Sequence, residues 1–174
     1  MKICQPPSGA FWQKIFVEPD YERMQMNENV NLSCALPGKY DNWETIPWRT
    51  VIHEVTRQQR RIAKATQQKQ IGKAKALMYL LSKSFYAKLL AVKRVTQNKG
   101  GNTPGVDGKI WLDGDEKLRQ AKNLKSQGYS SKPLRRVYID KKNGKKRPLG
   151  IPTLKDRAMQ TLYAIALEPF AETQ

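Results

Sequence analysis

From Asn42 onward the apolar residues fall into periodic runs. Trp48, Val51, Ile52, Val55, Ile62 and Ala63 recur at helical spacing to about Gln68, behind Pro47, which suits the first turn of a helix. Leu77, Met78, Leu81, Phe85, Leu89, Val92 and Val95 form a second stripe. It predicts one helix over about 71–96, ended at Asn98-Lys99-Gly100-Gly101 because Asn and Gly tolerate the left-handed conformation. A third helix is expected over about 116–126, with Leu118, Ala121 and Leu124 inward and Gly128 as its stop. Two amphipathic helices on a short linker bury their stripes against each other, so these positions are assigned to the core.

The pattern then changes period. Two β-type runs, Arg136–Ile139 and Arg147–Ile151, flank Asn143-Gly144. Asn-Gly predicts a two-residue hairpin turn, because a type I′ turn needs φ > 0 at both central positions. Next, Thr153 with Asp156 three residues later resembles a capping box and opens a last helix over about 154–167, before Pro169. Leu162, Tyr163, Ile165, Ala166, Leu167 and Phe170 make that helix apolar on more than one side. A single hairpin cannot cover so much apolar surface, so a further packing partner is expected. TPGVDG at 103–108 reads as a compact turn unit. Residues 1–42 read as a poorly ordered extension, because Pro6-Pro7, Pro19, Pro37-Gly38 and scattered Asn interrupt every period. Met24 and Met26 offer alternative starts to Met1.

Charge changes this picture from folded chain to polyanion binder. The net charge is +17, and it is unevenly placed: residues 1–50 hold five Lys/Arg against six Asp/Glu, residues 51–174 twenty-seven against nine. After Glu54 no carboxylate occurs until Asp107, a stretch of fifty-two residues. A solvated helix face normally alternates signs for i,i+4 pairing, so a purely basic face points to nucleic acid. Arg57, Arg60, Arg61 and Lys64 lie on the first helix, and Lys73, Lys88, Lys93, Arg94 and Lys99 on or after the second. Arg135, Arg136, Lys141, Lys142, Lys145, Lys146 and Arg147 crowd the hairpin. Like charges that close repel one another, which suits a finger that holds phosphate. Lysines also blunt an edge strand against aggregation, the blander reading of the same hairpin.

Other chemistry is sparse. Cys4, Cys34 and His53 have no metal-ligand spacing, and His53 beside Glu54 suits a helix surface. The beginning lacks the apolar stretch of a signal peptide, and no run reaches membrane-spanning length. A cytoplasmic protein with reduced thiols and no membrane partner is expected. Binding to an anionic membrane surface is the weaker alternative, since no basic segment has an apolar face free of a core explanation.

Several segments follow one another in a telling order: RRIAKA at 60–65, SFYAKLLAVKRVTQNKGG at 84–101, TPGVDG at 103–108, and PLRRVYIDKKNGKKRPLGIPTLKDRAMQTLYAIALEP at 133–169. From Trp43 to Thr173 the chain resembles the N-terminal portion of a group II intron reverse transcriptase, or maturase. The resemblance implies N-terminal helices that bind intron RNA and a fingers hairpin that closes over the primer–template end. Two basic residues of that hairpin, matching Lys141 and Arg147, would meet the incoming nucleotide's triphosphate. Lys supplies a point charge there and Arg a fork. The sequence departs at Asp140, where proline is usual, and an acid beside Lys141 competes with phosphate for it.

The family's phosphoryl transfer uses two Mg²⁺ ions on palm aspartates, and the matching motifs do not occur before Gln174. The expectations are therefore an α+β chain: an extension over 1–42, a basic helical region over 43–130, and a fingers hairpin with a C-terminal helix over 131–174. The reverse transcriptase fold would be incomplete, without palm or thumb. No catalytic residue and no metal or other cofactor is assigned to the chain, with Mg²⁺ expected only for the complete family enzyme. The expected partner is structured, group II intron-like RNA, and the chain alone is expected not to polymerise. The alternatives are the docking half of a split enzyme, whose final helix meets a separate palm/thumb polypeptide, and a non-functional remnant.

Overall fold

A computed structural model describes residues 40–141 and 144–173, and among these described residues five helices and one hairpin follow each other. The extension expected over 1–42 lies outside the described residues up to residue 39, as do both cysteines and Lys142 and Asn143 of the hairpin tip. Tyr40, Trp43 and Ile46 are already buried. Trp43 packs edge-on against Trp48, with ring centroids 4.9 Å apart.

Helix α1 (Trp48–Gln67) buries Val51, Val55, Ile62, Ala65 and Thr66 on one side. Ile52, expected in the stripe, is 46% exposed. It stands next to Val51 and so a hundred degrees round the helix from it. The helix ends in a Schellman closure: Gln70 N–H donates to Ala65 O at 2.9 Å and Lys69 N–H to Thr66 O at 2.8 Å. Lys69 takes the left-handed position at φ +57°.

The long helix expected over 71–96 is two, α2 (Ile71–Lys83) and α3 (Phe85–Gln97), broken at Ser84 with ψ 131°. The break re-aims the chain, so that Met78 and Leu81 of α2 and eight residues of α3 are buried. α3 is buried on several sides because it packs against every other helix. α4 (Gly114–Asn123) begins two residues earlier than the apolar pattern suggests, because Asp113 caps it, accepting from the N–H of Asp115 and Glu116. Leu118, Ala121 and Leu124 are buried as expected.

Strands β1 (Arg135–Asp140) and β2 (Lys146–Ile151) pair antiparallel, with Arg135 opposite Ile151 and Asp140 opposite Lys146. The closure differs from a two-residue turn. Lys141 N–H donates to Lys145 O at 2.8 Å, Gly144 N–H donates to Lys141 O at 3.0 Å, and Gly144 has φ +74°. Three residues between the closing pair, with Gly left-handed at the last, is the pattern of the longer hairpin loop.

Helix α5 (Leu154–Ala171) runs through Pro169, where the sequence predicted a stop. Proline removes the N–H that would have bonded Ile165 O. Gln59 of α1 donates to that carbonyl instead, at 2.9 Å. Leu162, Tyr163, Ile165 and Ala166 are buried, and Leu167 and Phe170 pack on the same core. The packing partner expected for α5 is thus the chain's own α1, α2 and α3.

Candidate nucleic-acid interface

The base of the hairpin is locked to the helical body. At the N-terminus of α5, Asp156 N–H donates to Thr153 Oγ1 at 3.2 Å, and Thr153 Oγ1 donates to Asp156 Oδ2 at 2.6 Å. Tyr129, just before the hairpin, donates its hydroxyl to Asp156 Oδ1. Asp156 is only 4% exposed. Burial, then the hydrogen bond and the charge of Asp156, push the Tyr129 hydroxyl well above the ordinary tyrosine range. One carboxylate thus ties the chain entering the hairpin to the helix that leaves it.

The turn unit 103–108 docks at the same place. Arg157 Nη1 donates to Gly100 O at 2.6 Å, Nη2 donates to Thr103 O, and Nε donates to Pro152 O at 3.2 Å. Gly105 lies so close to α5 that a Cβ there would fall 2.6 Å from Thr153 Cα. The guanidinium is partly desolvated, which lowers its pKa, while Asp107 acts in the opposite direction. Sequence reasoning read TPGVDG as a loop alone. Its docking depends on Arg157, more than fifty residues away, and no local signal reveals it.

From this base the hairpin stands clear of the helices, and every described residue from 136 to 150 is exposed. Alternation along the ladder places Arg147 on the face of Val137, Ile139 and Leu149. Lys141 continues that face one step beyond Ile139, so the two cations matched by resemblance share a side. Asp140, Tyr138 and Arg136 occupy the other face, with Asp140 directly opposite Lys146. Lys145 and Lys146 are exposed at the same end. Arg135, at the root, is half-buried, and its Nε is shielded without a hydrogen-bond partner.

On the helical body, Arg57, Arg60, Arg61 and Lys64 all lie exposed on α1, opposite its buried side. Arg49, which sequence reasoning missed, joins them, and its spacing of eleven and fifteen residues from Arg60 and Lys64 is the signal that could have found it. Arg57 is partly neutralised, since its Nη2 lies 2.7 Å from Glu54 Oε2. Lys73, Arg94 and Lys99 are exposed. Lys93 is engaged otherwise, its ammonium sitting 4.0 Å from the centroid of the Trp48 ring. Lys88 is half-buried, and burial, then Lys83 and Lys125, lower its pKa.

Asp113 and Asp156 cap helices, Asp107 accepts from Lys109 N–H at 3.4 Å, and Asp140 lies across from Lys146. Among the described residues no group of three His, Cys, Asp or Glu could hold a metal ion. No described helix is long and apolar enough to cross a membrane.

Comparison with known proteins is consistent with this geometry. Residues 43–124 match the N-terminal domain of reverse transcriptase. The chain is 45% identical over 93 residues to protein YkfC of Escherichia coli strain K12, covering 49% of this chain and 24% of that protein. It is 40% identical over 97 residues to the group II intron-encoded protein LtrA of Lactococcus lactis subsp. cremoris, covering 54% of this chain and 16% of LtrA. An uncharacterized 91 kDa protein in the cob intron of Schizosaccharomyces pombe is 34% identical over 99 residues, 54% of this chain and 12% of that protein. The matched part spans a quarter or less of each of these relatives.

Proposed function

As residues 43–124 are the N-terminal domain of a reverse transcriptase of the group II intron-encoded kind, we propose that this chain binds structured, intron-like RNA. The observation that carries the reading is the carboxylate-free stretch from residue 55 to 106. It folds into helices whose outward side chains are mostly cationic, and Arg57 is the one cation of the α1 stripe in an ion pair among the described residues. Such a surface repels itself in the free protein and is relieved by phosphates. Shape and backbone contacts suit structured RNA, whose deep, narrow major groove side chains cannot read.

The hairpin is the second element of the proposal. Lys141 and Arg147 would meet phosphate oxygens together, as a point charge and a fork from the same face. Asp140, opposite Lys146 in the ladder and next to Lys141 in sequence, would temper that contact. We further propose that these 174 residues do not polymerise by themselves, because the palm aspartate motifs that the resemblance calls for do not occur in them.

Salt titration tests the RNA reading. Log affinity for a structured intron RNA should fall linearly with log salt, and each lost phosphate contact should flatten the slope by about 0.7–0.9. Replacing Arg57, Arg60, Arg61 and Lys64 together by Gln should flatten it by about 2–3, Arg57 contributing least because of Glu54. An unchanged slope removes α1 from the interface. No salt-dependent binding at all ends the RNA reading.

A further inference from the structure

The hairpin has two outer edges, and they are chemically unlike. Lys141 N–H donates to Lys145 O across the ladder, and pairing alternates from there down the register. The pairs 140–146, 138–148 and 136–150 are therefore of the non-hydrogen-bonded kind, with backbone N–H and C=O groups pointing away from the partner strand. On β2 that outward row contains Pro148, which lacks the N–H a further strand needs. On β1 the row is Arg136, Tyr138 and Asp140, complete in donors and acceptors. A proline at 140, usual in the family that the chain resembles, would remove one of those donors, and aspartate supplies it. Among the described residues β1 and β2 form a sheet of two strands, and no other backbone group meets this row.

The side chains along the β1 edge complement a second copy of themselves. With Tyr138 opposite Tyr138 on a two-fold axis, Arg136 falls opposite Asp140 of the second copy, and Asp140 opposite its Arg136. In all three pairs the outward backbone groups face each other, so the ladder closes. On the other face Val137 falls opposite Ile139, and these two are 36% and 37% exposed. Opposite charges, aromatic rings and β-branched side chains directly across a ladder each stabilise it. Moving the axis to Arg136 or to Asp140 would set like charges against each other, so the register is specified. Asp140 takes part in no ion pair among the described residues.

We propose that β1 is the docking edge for a second copy of this chain, the two hairpins joining into one antiparallel sheet in the order β2-β1-β1-β2. Lys146 and Arg147 then lie on the outer strands, and the antiparallel order sends the two basic tips to opposite ends of the sheet. Residues 130–134, alongside which the second copy's tip would run, are exposed. A strand of six residues makes a small interface, of the transient class. Repulsion between two chains of charge +17 opposes it until salt screens them. The proposal stands apart from the RNA reading.

The test is sedimentation equilibrium of the full chain carrying Cys4→Ser and Cys34→Ser, over about 10–500 μM protein at about 0.3 M salt. A monomer–dimer equilibrium is expected. Asp140→Arg or Arg136→Asp alone should weaken it by about tenfold, since each sets like charges opposite one another at two symmetric places. The two single variants mixed together should associate as the parent chain does, because the mixture restores both opposite pairs. A monomer over the whole range overturns the proposal. So does a dimer that neither variant weakens, which puts the contact elsewhere, and so does a mixture that fails to recover while each variant keeps the parent's melting temperature. Oxidation gives a second reading: Tyr138→Cys in the same background should form a disulfide-linked dimer, because opposite Cα atoms in a hydrogen-bonded pair lie about 5.5 Å apart. Val137→Cys should lag well behind, and equal cross-linking of the two overturns the register. Cross-linking of Tyr138→Cys to Cys4 or Cys34 of the same chain, when those are kept, gives the edge to the chain's own beginning and overturns the second copy.

Discussion

Tyr129 donates its hydroxyl to Asp156, which also closes the cap of α5 with Thr153. Because this carboxylate is buried, each hydrogen bond to it is charge-assisted and shielded from water. Tyr129→Phe should therefore destabilise the chain by about 1.5 kcal/mol at neutral pH, read by urea unfolding. The hydroxyl's raised pKa sets a pH signature. A tyrosine held protonated in the fold contributes fully below its ordinary pKa, about 10, and loses that contribution as pH rises through the folded value. The difference between wild type and Tyr129→Phe should stay level to about pH 9 and shrink above about pH 10. Tyr163, whose pKa is raised chiefly by burial, titrates in both proteins and so largely cancels. A difference that grows with alkali would contradict the assignment.

The hairpin is an element whose shape and stability are set apart from the helical core. Its described residues from 136 to 150 are exposed, so side chains at its tip bear on what it binds more than on whether it folds. Lys141→Gln with Arg147→Gln should change the unfolding free energy by less than about 0.5 kcal/mol. The same pair should weaken binding of a nucleoside triphosphate by about tenfold for each lost charge-assisted phosphate contact, followed by fluorescence titration. Unaltered triphosphate binding would leave the hairpin to RNA alone. The turn unit held by Arg157 is the other element worth separating, because it fastens the residues after α3 to the start of α5. Its position is a property of the packed helices, and the hairpin inherits its root from the same contact.

For the whole molecule the net charge of +17 opposes folding. Like charges on a compact body repel across its surface, and salt screens them within about 10 Å at 0.1 M. The melting temperature of the free protein should rise between about 10 mM and 300 mM salt, while its RNA affinity falls over the same range. Opposite responses to one variable are the mark of a protein whose surface is built for its ligand. A melting temperature indifferent to salt would mean that the cations are neutralised within the chain.

What could be read from residues alone was whatever depends on local period and composition. The amphipathic α1, the inward face of α4, the paired strands and the Thr153–Asp156 cap are local patterns, and so is the basic stripe of α1. The resemblance carried by the ordered motifs likewise needed no coordinates. Tertiary structure decided what depends on distant partners. Pro169 stays inside α5 because Gln59 of α1 takes the carbonyl that proline leaves open. The long second helix breaks at Ser84, and the two halves then bury their apolar sides in different directions. The apolar surface of α5, which a sequence leaves open, is covered by α1, α2 and α3. Lys93 is drawn onto the face of Trp48, and Lys83 onto that of Tyr79, with its ammonium donating to Ser126. A helical or strand period is set by backbone geometry within a few residues, whereas a charge takes its role from neighbours that only the folded chain supplies.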